Sequence, residues 1–275
     1  MSPLILLRAE WLKARKRPMH WILLGLLAST GLLFTLFVGT RAWVDPTLRE
    51  RARVMMPWPH ILEHALNVLQ FFGRVTAIAL TASIVGSEYG LDTWKMVLPR
   101  RPGRSGFFWS KLGMSLIAVV VGIAVVVASF VIPSSLTSLL LGIEPAGGVE
   151  LGVVGARYAA FFLEAFFYVA VTVFAAVVTR STFGGILLGL GVMFFQDIVA
   201  YAHPLIALTL PAVHLRNLQA LLSGDAQLLE QVQMVFEDEV SLGTSAAVWL
   251  LYVSTLLAAA FTLFRRRDLA GGTGG

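Results

Sequence analysis

Few residues of this chain could do chemistry, and most of them lie inside or beside apolar runs. His60, Glu63 and His64 form an H-x-x-E-H sequence. Two imidazoles one helical turn apart could hold a zinc ion while the carboxylate activates water, as in a membrane-embedded zinc peptidase. A third protein ligand would have to come from Glu144 or Glu150 in a separate loop. The competing reading is a polar helix start at headgroup level, beside Pro57 and Pro59. We assign no metal and no catalytic residue on this basis. Arg74, Glu164 and Asp197 sit within runs apolar enough for lipid, where an ionised group demands a partner. The chain has no cysteine, which excludes disulfides and thiolate chemistry. It also lacks a G-x-x-x-x-G-K-[ST] phosphate loop, so any ATP hydrolysis must come from another polypeptide.

The elements that must position these groups are six continuous apolar runs at 19–39, 65–86, 112–132, 158–179, 183–203 and 245–264. Each has the roughly 20 residues that a helix needs to cross hydrocarbon. With 57% hydrophobic and 13% charged residues, the composition is that of an integral membrane protein. Continuous rather than alternating runs favour a helix bundle over a barrel. The expected fold is therefore all-α, one transmembrane domain over residues 1–275. An interfacial helix occupies 1–18, six spans lie within 19–264, and a tail follows at 265–275. Polar loops at 40–64, 133–157 and 204–244 are too short to bury cores of their own.

Charge then orients the bundle. Of 21 Lys and Arg residues, fourteen fall on the side of both termini and five on the other. The positive-inside rule makes the first side cytosolic. The net charge of +5 thus reflects topology and anionic lipid rather than nucleic acid.

Two segments of the cytosolic side carry pattern. Residues 3–18 read as an interfacial helix, with Leu4, Arg8, Trp11 and Arg15 on one face. Between spans two and three, Glu88, Asp92 and Lys95 make a polar stripe, and Leu91, Trp94, Val97 and Leu98 an apolar one. That is a short amphipathic helix, ended by Pro99, Pro102 and Gly103 and shaped for docking a partner. Its contact residues would be Glu88, Tyr89, Leu91, Asp92, Trp94, Lys95, Leu98 and Arg104.

The run Glu88-Tyr89-Gly90-Leu91-Asp92-Thr93, followed by Pro102, Arg104 and Lys111, resembles the "E-x-x-G-T … P-x-x-R … K" segment of ABC-2 type transporter permeases. Glu10, Lys13 and Arg17 resemble the elbow helix of those proteins, and Phe264 to Leu269 their closing segment. Gly90 and Thr93, usually adjacent in that pattern, stand two residues apart here. The resemblance implies a permease subunit of a bacterial inner-membrane exporter, itself without enzymatic activity. It further implies a cytosolic ABC ATPase docked on residues 88–111, carrying the ATP and Mg, and a second permease chain completing the pathway as a homo- or heterodimer. An ion-coupled secondary carrier is the alternative; it calls for paired broken helices in two repeated halves, and none is visible.

Depth arithmetic places the intramembrane charges together. At 1.5 Å per residue, Arg74 lies about 13 Å below the outer end of its span, and Glu164 and Asp197 about 9 Å below theirs. Arg74 could pair with either carboxylate, as a structural pair or as an outer gate. Gly185 and Gly189 form a G-x-x-x-G pair that could pack within the chain or against a second one, and the resemblance favours the dimer. The run from His203 to Pro211 is either a re-entrant piece or a surface-lying loop.

Overall fold

The computed structural model describes residues 3–90, 104–144, 150–200, 209–224, 226–236 and 240–266. Regular structure in these segments is helical throughout. The chain runs α1 (Pro3–Arg15), α2 (Pro18–Val44), α3 (Pro46–Met55) and α4 (Ile61–Val68). A π-helical turn, Leu69–Gly73, joins α4 directly to α5 (Arg74–Gly90). Then come α6 (Arg104–Leu141), α7 (Leu151–Thr179), α8 (Thr182–Ala200), α9 (Pro211–Ser223), α10 (Ala226–Phe236) and α11 (Leu242–Arg266). Pro18, Pro46 and Pro211 each open a helix, where the missing N–H costs nothing.

Among the described residues, five segments are long and apolar enough to cross a membrane: Pro18–Val44, Ile61–Tyr89, Ser105–Leu141, Leu151–Thr179 and Leu242–Arg266. The expected fifth span corresponds to a shorter apolar helix, Thr182–Gln196. The helices overrun the expected span limits. α6 continues through Pro133 to Leu141, where a loop was expected from residue 133. Proline at 133 removes the donor that the Ser129 carbonyl would use. Gly31 of α2 lies against that same carbonyl, so close that a Cβ there would come within 2.5 Å of it. The Ser134 hydroxyl donates to the Met56 carbonyl and the Thr137 hydroxyl to the Pro133 carbonyl, holding the turn. The expected loop 40–64 likewise contains α3 and the start of α4.

Contacts between helices sort the chain into two ends. At one, the Arg17 guanidinium donates to the Ser83 carbonyl at 2.6 Å, Gly86 abuts Thr182, and Phe108 stacks with Phe264. This is the basic end, where the sequence places fourteen of its cations. At the other, the Tyr158 hydroxyl donates to the Leu62 carbonyl at 2.9 Å, and the Arg49 guanidinium to that of Leu141. Successive long helices therefore run alternately between the ends.

α7 is the central helix, with almost every residue from Glu164 to Val177 buried. α2, by contrast, turns Trp21, Ile22, Leu26, Leu33, Leu36 and Phe37 outward, as a lipid-facing helix must. At the far end α9 is no surface loop. It packs between α7 and α11 and buries His214, Asn217 and Leu218. Asn217 Nδ2 donates to the Ser245 hydroxyl at 2.9 Å and to the Val240 carbonyl at 2.8 Å, and His214 Nδ1 lies 3.1 Å from the same hydroxyl. The cluster fastens α9 to the start of α11. The stretch 201–208, which holds most of the suspected re-entrant piece, lies outside the described residues.

Candidate functional site: a buried charge network at the basic end

α1 lies against the bundle with Leu7, Glu10 and Ala14 turned inward, while Arg8, Trp11 and Arg15 face out. An acid on the buried face is costly unless it is paired. Lys111, two turns into α6 and only 2% exposed, donates to Glu10 and, at 2.7 Å, to Glu88 Oε1. Lys13 reaches the same two carboxylates, Glu10 at 3.1 Å and Glu88 at 3.1 Å. Arg17, at the start of α2, stands 3.7 Å from Glu88. The ammonium groups of Lys13 and Lys111 both lie over the Phe107 ring, 5.6 and 5.1 Å from its centre. Three cations thus neutralise two carboxylates, and four helices meet on them.

The position of this network in the chain gives it meaning. Glu88 ends the helix that leads into residues 91–103, and Lys111 opens the helix that leaves them. The two stems of that segment are joined to each other and to α1. Leu91, Asp92, Trp94, Lys95 and Leu98 of the expected docking surface lie outside the described residues, as does the side chain of Arg104. The structure does correct the placement of Glu88. Only 2% exposed, its carboxylate faces inward to Lys111 and Lys13 and presents no surface to a partner. Tyr89 is half-buried against the core.

Deeper in the bundle, Arg74 Nη2 pairs with Glu164 Oε1, one of the two carboxylates the sequence offered, at 2.8 Å. Arg74 directly follows the π turn. One extra residue in a turn rotates everything after it, and such turns gather at functional positions. The side chain of Asp197 lies outside the described residues.

Gly185 and Gly189 correct a second expectation. Both face inward: a Cβ on Gly189 would lie 2.7 Å from Ile78 and 2.8 Å from the Thr172 hydroxyl, and one on Gly185 3.1 Å from Ala176. They seat α8 against α5 and α7 of the same chain rather than offering a face for a second one. His64 stacks on Phe34, ring centres 4.9 Å apart, and Glu63 takes Arg157 at 3.4 Å. Among the described residues no three His, Asp or Glu side chains gather in a way that could hold a metal ion.

A family model described as ABC-2 family transporter protein matches residues 6–197. The chain belongs to the ABC-2 transporter family. A search of the curated proteins finds no significant match. The family match takes in α1 to α8, with every residue of the network and the Arg74–Glu164 pair, and stops before α9. As an ABC-2 protein the chain is a multi-pass membrane component of an ABC transporter, of a kind that is generally non-enzymatic and works with an ABC ATPase. Reasoning from sequence named Glu10, Lys13, Arg17, Glu88 and Lys111 in this ABC-2 protein without joining them. The usable signal was the Leu7, Glu10, Ala14 spacing, which puts one acid on the face that must pack. The His214, Asn217, Ser245 cluster was missed altogether, because polar residues scattered over two helices leave no periodic trace.

Proposed function

We propose that this chain is the permease subunit of an ATP-driven exporter in a bacterial inner membrane, with its basic end and both termini in the cytosol. The shorter helix α8 makes the sixth crossing. A separate ABC ATPase, holding the ATP and Mg, docks on residues 91–104 through Trp94, Lys95 and Leu98, and a second permease chain completes the pathway. The observation that carries this reading is the Glu88–Lys111–Glu10 network, which ties both stems of the docking segment to the interfacial helix. A push on residues 91–103 would reach α1, α5 and α6 together, since buried ion pairs resist being pulled apart singly. Movement of these three helices would tilt the spans and change the side to which the pathway opens. The export direction comes from the family resemblance. The test is capture of the ABC ATPase with the tagged chain from its own membrane. Joint replacement Trp94→Asp and Leu98→Asp should release the ATPase while the permease stays folded. A complex that survives both changes would place the docking site elsewhere.

A further inference from the structure

Between α1 and the bundle, next to the charge network, lies an apolar cavity of about 200 Å³. Its inner walls are Leu24 of α2, Leu80 of α5, and Met114, Ala118 and Val121 of α6. At its mouth stand Trp11 and Arg15 of α1 with Trp21 of α2, both tryptophans substantially exposed. The Trp21 indole donates to the Arg15 carbonyl at 2.8 Å, fixing the rim. An apolar cavity of roughly 150 Å³ stays dry and takes up benzene. This one therefore has room for a length of hydrocarbon, and its wall atoms lack contacts until something fills it.

Charge at the mouth narrows the choice of occupant. On the same stretch of chain, Lys13 and Arg17 are engaged by Glu10 and Glu88. Arg15 is exposed, and among the described residues no carboxylate pairs with it. Lys16 beside it is exposed too. Paired tryptophans mark headgroup depth, and basic residues there attract anionic lipid. We propose that the cavity holds one acyl chain of an anionic phospholipid from the leaflet at the basic end, with its phosphate on the Arg15 guanidinium. The lipid wedges α1 against α5 and α6, behind the network. Assignment to the cytosolic leaflet rests on the orientation proposed above; the site itself does not.

The test uses the full chain in phosphatidylcholine nanodiscs. They are doped with phosphatidylglycerol carrying a diazirine on its acyl chain or, in parallel, with phosphatidylcholine carrying the same group. After irradiation, peptides containing Leu24 and Met114 to Val125 should be labelled several-fold more by the phosphatidylglycerol probe. Ala118→Phe should cut wall labelling by both probes several-fold. Arg15→Gln should remove the preference between probes and leave the thermal midpoint of the protein in detergent unchanged. Equal labelling by the two probes in the unaltered chain, or a preference that survives Arg15→Gln, would overturn the headgroup assignment. Wall labelling that ignores Ala118→Phe would overturn the cavity. Should Ala118→Phe not fold, Val121→Phe fills the same space from the next turn. No ATPase takes part, so the outcome is separate from that of the docking experiment.

Discussion

The basic end and the membrane interior solve one problem, a buried charge, in two ways. At the basic end two carboxylates share three cations drawn from α1, the α1–α2 junction and α6, so each acid faces more than one partner. In the interior Arg74 pairs with Glu164 at 2.8 Å, directly after the π turn that precedes the arginine. A shared arrangement degrades by steps, and it joins elements that are to move together. The Arg74–Glu164 pair ties α5 to α7 and can serve as a latch. Position agrees with this difference. The network brackets the segment proposed to receive the ATPase, whereas Arg74–Glu164 locks α5 to α7 well away from it.

Breaking the Arg74–Glu164 pair should have the largest effect. Arg74→Leu takes the paired cation from a carboxylate in a low-dielectric interior and should cost about 3–5 kcal/mol. Thermal unfolding followed by size-exclusion chromatography would register this as loss of monodisperse protein. Arg74→Leu with Glu164→Leu should recover most of it; if assembly returns without transport, the pair is a gate rather than a strut. Lys111→Met should cost less, about 1–3 kcal/mol, because Lys13 still reaches both Glu10 and Glu88. If Lys111→Met proves worse than Arg74→Leu in the same assay, the contrast between the two sites fails.

Gly189→Leu sharpens the comparison from the packing side. Its side chain would drive α8 away from Ile78, one turn beyond Arg74, and from Thr172, two turns beyond Glu164. Overpacking of this kind costs about 1–3 kcal/mol. Combined with Arg74→Leu the loss should be less than additive, since both disturb the packing around α5 and α7, while combined with Lys111→Met the losses should add.

The smallest effect belongs to Asp45, which takes part in neither arrangement. The Thr47 hydroxyl and amide donate to its carboxylate at 2.7 and 2.8 Å, capping α3 and holding the acid below its ordinary value of 3.8. A depressed acid stabilises the fold above its ordinary pKa and loses that contribution as pH falls through the lowered one. A slight drop in thermal midpoint below pH 4 is expected, absent in Asp45→Ala. A drop of equal size in that variant would assign it to other carboxylates.

How much was readable in advance follows from the kind of interaction involved. The start of α1, the long apolar helices and the alternation of their ends appear where hydropathy and charge put them. Segment lengths were less legible: α6 passes through Pro133 because Gly31 of α2 and the hydroxyls of Ser134 and Thr137 accommodate it. Gly185 and Gly189 were misassigned because a G-x-x-x-G pair reports that some backbone comes close without saying whose.

Membrane residence and the two-sided distribution of charge were determined by the sequence itself. Each is a sum over residues that act one at a time on lipid, water or a membrane field, so order along the chain suffices. The pairing of Arg74 with Glu164, the gathering of Glu10, Lys13, Arg17, Glu88 and Lys111, and the inward turn of the glycines were decided only by tertiary structure. Those are pair relations between residues as many as 101 positions apart. They depend on helix rotation and distance of approach, which no single stretch of the chain encodes.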